Sequence, residues 1–371
     1  AQGDTTDDLI AKAAEINPKA SKREMDVLLS TGEQISVALM SMALERMGLP
    51  VVSLTGWQVQ MRTNFDYSNA RILSCSTERI QQELDKRRIV IVTGFQGVNG
   101  MGDITTLGRG GSDTSAVAIA AVLHADKCQI FTDVEGVFTA DPRKVPNARK
   151  LDEITYDEMM ELASLGAQVL HNRSVEMAKR YGVDLEVLSS YVRKPGTKVK
   201  EVVKNVEQMK ISGIAKDNNV SRIAVVGVPD EPGIAFKLFR VLANSKINVD
   251  IILQSIDRNG TNDISFTVSE ADYEKTMQLV EERKDSLHYK ELYGDKKVAK
   301  VSIVGAGMLT SSGVAALMFE ALSDAKINIQ MISTSEIKVS VLINEDDADK
   351  AVQVIHNKFF DLSSMRLFYK Q

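Results

Sequence analysis

A mainly parallel α/β sheet with helices on both faces, followed by two copies of a βαββαβ unit, is the fold class that the sequence predicts. Three observations predict it. Through residue 195, short apolar runs of strand length alternate with helical patterns. A glycine-rich polar stretch, Thr105 to Asp113, separates one such run from a helix of small apolar residues. Beyond residue 207 the chain repeats itself: Gly227 answers Gly305, Gly233 answers Gly313 and Asn248 answers Asn328, offsets of 78 to 80 residues.

The elements follow in order. The polar run Gln2 to Asp8 leading into Leu9-Ile10-Ala11 reads as the exit from a strand, so the sequence reads as a fragment whose first strand precedes Ala1. Ile35, Leu39, Met42 and Ala43 recur at helical spacing, Val51–Leu54 is a strand, and Ile80 to Leu84 is a helix. Ile89-Val90-Ile91-Val92, closed by Thr93-Gly94, has the continuous apolar pattern of a strand buried on both faces. The helix Thr114–Leu123 and the strand Gln129–Asp133 come next. Met159, Met160, Leu162, Ala163 and Leu165 mark an amphipathic helix whose methionines belong to the core, and Asp184–Leu188 is a further strand. A breaker at Arg193-Lys194-Pro195-Gly196-Thr197 and a connector rich in Lys, Glu and Val end this region.

In each repeat a strand (Ile223–Gly227; Val301–Gly305) leads to a glycine turn, an amphipathic helix (Phe236, Phe239, Leu242; Leu317, Phe319, Leu322) and a second strand. A third strand, Ile264–Val268 or Lys338–Leu342, and a last helix and strand complete a ferredoxin-like unit. Val304-Gly305-Ala306-Gly307 imitates a dinucleotide fingerprint, but the third glycine comes only at Gly313 and the partner copy has no GxG.

Composition bounds the function. A chain of 371 residues, 44% apolar and 26% charged, suits a globular protein of two or three domains. A net charge of −5 argues against nucleic acid and anionic membrane as partners. No apolar run approaches the ~20 residues that span a bilayer, and no signal-peptide core opens the chain, so a cytoplasmic location is expected. Cys75 and Cys128 form no CxxC, the four histidines (His124, His171, His288, His356) are isolated, and no GxSxG is present. A protein-held metal and a serine hydrolase are therefore not expected.

The chemistry concentrates in Thr105–Asp113. Gly97, Gly100, Gly102, Gly108, Gly110 and Gly111 let backbone N–H groups approach a ligand, Ser112 and Asp113 stand where an N-cap belongs, and Arg109 invites a carboxylate or phosphate. A mobile surface loop is the plain alternative. The loop falls at the carboxyl end of a predicted strand, where such sheets gather ligands. It matches neither GxxxxGK[ST] nor GxGxxG, which leaves a small-anion or phosphoryl-transfer site.

Thr106–Asp113, the run Phe131–Arg143 and Ile332–Glu336, together with Gly3–Asp7 and Leu28–Glu33, resemble the aspartate kinases of the amino-acid kinase family over essentially the whole chain, and the repeats resemble ACT domains. The resemblance implies a catalytic domain over 1–195 lacking its first strand, a linker over 196–207, a first ACT unit over 219–297 and a second built from 208–218 plus 298–371. It implies transfer of the ATP γ-phosphoryl group to L-aspartate, giving 4-phospho-L-aspartate, with Mg2+ on the nucleotide. That reaction opens the route to lysine, threonine, methionine and diaminopimelate.

By the same resemblance, Arg109 clamps the substrate α-carboxylate, Glu33 holds its ammonium, and Thr6 with Gly110, Gly111 and Ser112 completes the pocket. Asp113 is the acidic catalytic member. Thr132, Asp133, Phe138, Thr139, Asp141, Arg143 and Gln168 line the ATP site, although Asp141-Pro142-Arg143 also reads as an ordinary turn. In the first ACT unit, an amino-acid effector (lysine, threonine or both) meets Asp230, Pro232, Gly233, Ile234, Ala235, Asn248, Val249, Asp250 and Gln254. In the second, Ser312, Gly313, Val314, Asn328, Ile329 and Thr334 are equivalent. Pairing of ACT units implies a homodimer, and the strand near Met209–Ala215 is expected beside residues after 298. Two departures stand out: the family's Lys-Phe/Tyr-Gly-Gly-Ser/Thr segment is absent, and Gln168 occupies a place where lysine is common. An effector-binding regulatory subunit with an inactive kinase-like domain is the alternative reading, and a kinase for another amino acid, such as glutamate, is a third.

Overall fold

The computed structural model describes residues 1–165, 169–202, 211–255, 260–309 and 313–361. They divide into two compact units. The first takes Ala1–Val137, Lys150–Ala163 and 169–202; the second takes Phe138–Arg149, Ser164 and Leu165, and the described residues from 211 onward.

The first unit contains α1 (Thr5–Ile16), α2 (Lys22–Arg46), β1 (Val51–Leu54), β2 (Arg62–Thr63), β3 (Ile72–Ser74), α3 (Glu78–Asp85), β4 (Ile89–Val92), β5 (Gln96–Val98), β6 (Ile104–Thr106) and α4 (Gly111–Leu123). It continues with β7 (Cys128–Thr132), β8 (Glu153–Thr155), α5 (Tyr156–Ser164), α6 (Asn172–Tyr181), β9 (Leu185–Ser189) and β10 (Thr197–Lys200). β1 and β4 pair in parallel, as do β7 and β9, and β8 and β10. β3, β2, β5 and β6, in that order, form a separate small sheet.

Two expectations change here. The run Ile89–Val92 is a strand, but it is not buried on both faces: β4 is half-buried and Ile89 is 42% exposed. Among the described residues its one sheet neighbour is β1. In α2, capped by Ser21 accepting from the Glu24 N–H, the apolar stripe that marked the helix lies outside: Ile35, Leu39 and Met42 are 53%, 47% and 62% exposed. The buried face carries Asp26, Ser30, Gly32, Glu33 and Ser41 instead. By length and composition α2 is the one described helix able to cross a membrane. Its buried Asp26 ties it to Ser68 and Thr106 of the same unit. In α5 the Met159 and Leu162 side chains are core residues, as their spacing predicts.

The second unit holds both repeats. β11 (Gly213–Asp217) comes first, then β12 (Ser221–Pro229), α7 (Ile234–Asn244), β13 (Ile252–Gln254), β14 (Thr261–Val268), α8 (Tyr273–Glu281), α9 (Lys284–Leu287) and β15 (Glu291–Asp295). After these come β16 (Val298–Val304), α10 (Val314–Asp324), β17 (Met331–Thr334), β18 (Lys338–Asn344) and α11 (Ala348–Phe360). The first sheet has order β13-β14-β12-β15 and the second β11-β16-β18-β17. β11 runs antiparallel to β16 from Gly213↔Val304 to Asp217↔Lys300, so a strand from upstream of the first copy completes the sheet of the second. Each sheet encloses its own core, one centred on Phe266, Leu238 and Leu242, the other on Val301, Met318 and Ile355. The copies match down to the backbone: Gly233 and Gly313 cap their helices at φ +95° and +88°, and Lys246 and Lys326 both adopt φ +59°. The GxG-like stretch after β16 leads into a single 3₁₀ turn, Ala306–Leu309.

Candidate active site

The glycine run joins β6 to α4, and its shape follows from close packing. Gly108 and Gly110 have φ +76° and +65°, a region that costs an L-residue roughly 1–2 kcal/mol. A Cβ on Gly110 would lie 2.1 Å from the His171 Cβ, so glycine is needed there twice over. The cap differs from expectation: Gly110 is the N-cap, and no side chain caps the helix. Ser112 and Asp113 fall inside the first turn because the left-handed glycine starts the helix earlier. Asp113 there meets the positive end of the helix dipole.

Arg109 and Ser112 are exposed, whereas Asp113 is partly buried. Burial pushes the Asp113 carboxyl above the usual range, opposed by a hydrogen bond from the His171 backbone. Burial, with Asp113's charge adding, pushes the Cys128 thiol up to about 11, which leaves it protonated and unreactive.

Asp26 ties α2 to this loop. It is fully buried and accepts from the Thr106 N–H (2.9 Å), the Thr106 hydroxyl (2.8 Å) and the Ser68 N–H (2.9 Å). Glu33 stands seven residues on, two turns along the same helix face. Its buried Oε2 has no partner among the described residues. A buried carboxylate on α2 and an exposed guanidinium on the glycine loop are the kinds of group that meet the ammonium and carboxylate of an α-amino acid. Thr6 lies in the first turn of α1, half-buried.

Thr132 and Asp133 close β7 at its carboxyl end, with the Thr132 hydroxyl donating to Asp133 Oδ1 at 3.0 Å. Phe138, Thr139, Asp141 and Arg143 lie in the second unit. There Arg143 grips Asp141 with Nε and Nη2, both at 3.0 Å, and this holds the Asp141 carboxyl below its usual range. Thr139 is buried, its hydroxyl already engaged by His356 and by the Arg149 N–H. Gln168 and Ser312 lie outside the described residues.

Around the first repeat's glycine turn, Asp230 accepts from Asn262 at 2.8 Å, and Pro232, Gly233, Asn248 and Gln254 are exposed. Gly313, Asn328 and Thr334 are exposed in the second. Ile234 and Val314 are core residues, while Ala235, Val249 and Ile329 are partly buried against the cores, so these five offer a ligand chiefly backbone. Asp250 is engaged by Lys300, which is buried on β16 and also lies 3.5 Å from Asp217.

Sequence reasoning missed Asp26 and Arg173. The Arg173 guanidinium reaches the carbonyls of Leu107 (2.6 Å) and Ala70 (2.7 Å), and so braces the start of the glycine run. Neither had a local signal, because each acts on backbone groups far away in sequence.

The amino acid kinase family profile matches residues 1–189, and an ACT domain profile matches 223–283 and 301–359. An aspartokinase of Bacillus sp. (strain MGA3) is 49% identical over 359 residues, 97% of this chain and 87% of the relative. One from Geobacillus stearothermophilus is 50% identical over the same shares. Among solved structures, E. coli aspartokinase III in complex with aspartate and ADP (R-state) superposes with a TM-score of 0.82 at 29% identity, covering 96% of this chain and 80% of that one. The same enzyme with lysine and aspartate (T-state) gives 0.70 at 29% identity, covering 95% and 78%. Sequence motifs, an α/β unit and a doubled ACT module converge with these likenesses: the chain belongs to the aspartokinases of the amino acid kinase family.

Proposed function

We propose that the chain transfers the γ-phosphoryl group of ATP to the side-chain carboxylate of L-aspartate, under feedback control by an amino acid bound to its ACT units. The observation that carries the substrate is Glu33, a buried carboxylate whose Oε2 has no partner among the described residues, on the α2 face whose Asp26 holds Thr106 at the start of the glycine run. In this reading Glu33 takes the substrate ammonium, and Arg109 forks onto the α-carboxylate. Thr6, the backbone of Gly110 and Gly111, and Ser112 close the pocket.

The nucleophile is a carboxylate with a reference pKa of ~3.9, ionised at neutral pH, so no general base is needed. Catalysis reduces to positioning and charge neutralisation. Asp113, at the positive end of α4, is the acidic group of the set. In the first unit Thr132 and Asp133 are the proposed nucleotide contacts, and in the second Phe138, Asp141 and Arg143 are; Thr139 serves the packing of its segment instead. Among the described residues no three His, Cys, Asp or Glu side chains converge, a donor inventory that fits a Mg2+ carried on ATP oxygens. When bound, that ion screens the phosphoryl charge. Lysine or threonine is the proposed effector, near Gly233, Asn248 and Gln254 and near Gly313, Asn328 and Thr334. A homodimer through the ACT units, using the exposed edge strand β13 with Ile252 at 50% exposure, and a cytoplasmic location complete the reading.

Acyl phosphate trapped as hydroxamate tests the activity. Its formation is expected to require both ATP and L-aspartate. L-Glutamate supporting the same rate would contradict the substrate.

A further inference from the structure

The segment Phe138–Arg149, which carries Asp141 and Arg143, is built into the second unit as firmly as the ACT elements themselves. Ala140 and Val145 are 4% and 0% exposed, in one core with Val301, Ile303, Ile343 and Ile355. The Thr139 carbonyl accepts from the Ile214 N–H of β11 at 2.8 Å. Its N–H donates to Arg149 O at 2.9 Å, and its hydroxyl accepts from the Arg149 N–H at 2.9 Å. Towards α11, Lys144 pairs with Asp349 at 2.8 Å, Asn147 donates to Asn357 at 3.0 Å, and Arg149 donates to Phe360 O at 3.1 Å.

At the centre of this seam is His356. It is fully buried on α11, stacked on Phe360 with ring centroids 4.6 Å apart, and its Nε2 is 2.8 Å from the Thr139 hydroxyl. That hydroxyl, with one proton and two acceptor sites, meets the Arg149 N–H and Nε2 together. Nδ1 has no partner among the described residues. A half-satisfied imidazole is a costly occupant of an apolar core, where leucine or phenylalanine would fill the space. What it supplies is a fixed register between α11 and the one buried hydroxyl of the segment.

We propose that His356 is a positioning residue for ATP: through Thr139 it fixes the segment that presents Asp141 and Arg143, so α11 of the second ACT unit sets nucleotide affinity. This rests on reading Asp141 and Arg143 as nucleotide contacts. Preorganised contacts lose affinity when their support loosens, even though no contact to ligand is removed. The role is separate from effector binding, whose candidate residues lie at the glycine-turn ends of the repeats.

The test measures dissociation constants for MgATP and for L-aspartate by calorimetry on the full chain, with thermal unfolding followed alongside. His356→Phe and Thr139→Val are expected each to weaken MgATP by about 3- to 30-fold and leave aspartate within twofold, and the double variant to be no weaker than the worse single one. Arg143→Ala separates the two layers. If Arg143→Ala leaves MgATP unchanged, or the wild-type chain takes up none, the nucleotide reading of the segment fails and this inference with it. If Arg143→Ala weakens MgATP while His356→Phe and Thr139→Val do not, the positioning role alone is overturned. An equal loss of both ligands would make the contact merely structural, which also overturns it. Should His356→Phe not fold, Thr139→Val carries the same comparison.

Discussion

At the residue scale, burial decides which polar groups act and which only hold. Arg109 and Asp113 were legible because a charged pair within a glycine run has few structural uses. Asp26, Arg173 and His356 were not, since their hydrogen-bond partners lie 42 to 217 positions away and two of the three serve backbone groups. His356 has a measurable consequence. Burial, with the Arg149 charge adding, pushes its pKa down to about 4, below the ordinary 6.5. Below 6.5 the unfolded chain takes up a proton that the folded chain refuses until about pH 4, so stability falls as pH falls through that window. Between pH 7 and 4.5 the wild type is expected to lose on the order of 1–3 kcal/mol more than His356→Phe, measured by urea unfolding. Parallel pH profiles would contradict this.

At the element scale, the helical and strand periods located the main segments but not α1, α6 or the short strands β2, β3, β5, β6, β8 and β10, and the burial that apolar runs suggest fails in α2 and β4. α2 shows its Ile35, Leu39 and Met42 stripe to the outside and buries Asp26 and Glu33. Periodicity reports that a helix has two faces and cannot tell that hydrogen bonds to Ser68 and Thr106 outweigh the apolar stripe. β4 reads as a doubly buried strand by composition, yet burial depends on neighbours that composition does not specify. The buried face of α2 can be probed directly. Asp26→Ala strips the acceptor from two backbone N–H groups and is expected to cost about 2–4 kcal/mol in chemical denaturation. A loss under 0.5 kcal/mol would mean that α2 is not held as described.

At the scale of the molecule, the repeat was the most legible feature, because 78- to 80-residue offsets survive in the glycine and Lys-Ile-Asn positions. The resemblance put the strand near Met209–Ala215 beside residues after 298, and β11 does pair with β16 of the second copy. What the linear order hid is that Phe138–Arg149, in the middle of the kinase-like sequence, packs with the ACT elements. Local patterns cannot report such pairings, since they depend on which edge or core is open when the chain returns. The central claim is that Glu33 and the glycine loop form the aspartate site. It is tested most directly by the calorimetric affinity for L-aspartate in the wild type, Arg109→Ala and Glu33→Gln. Loss of one charge-assisted contact, about 1.5–3 kcal/mol, predicts roughly 10- to 100-fold weaker binding in each variant, with the fold intact by circular dichroism. Unchanged aspartate affinity in both variants would contradict the assignment.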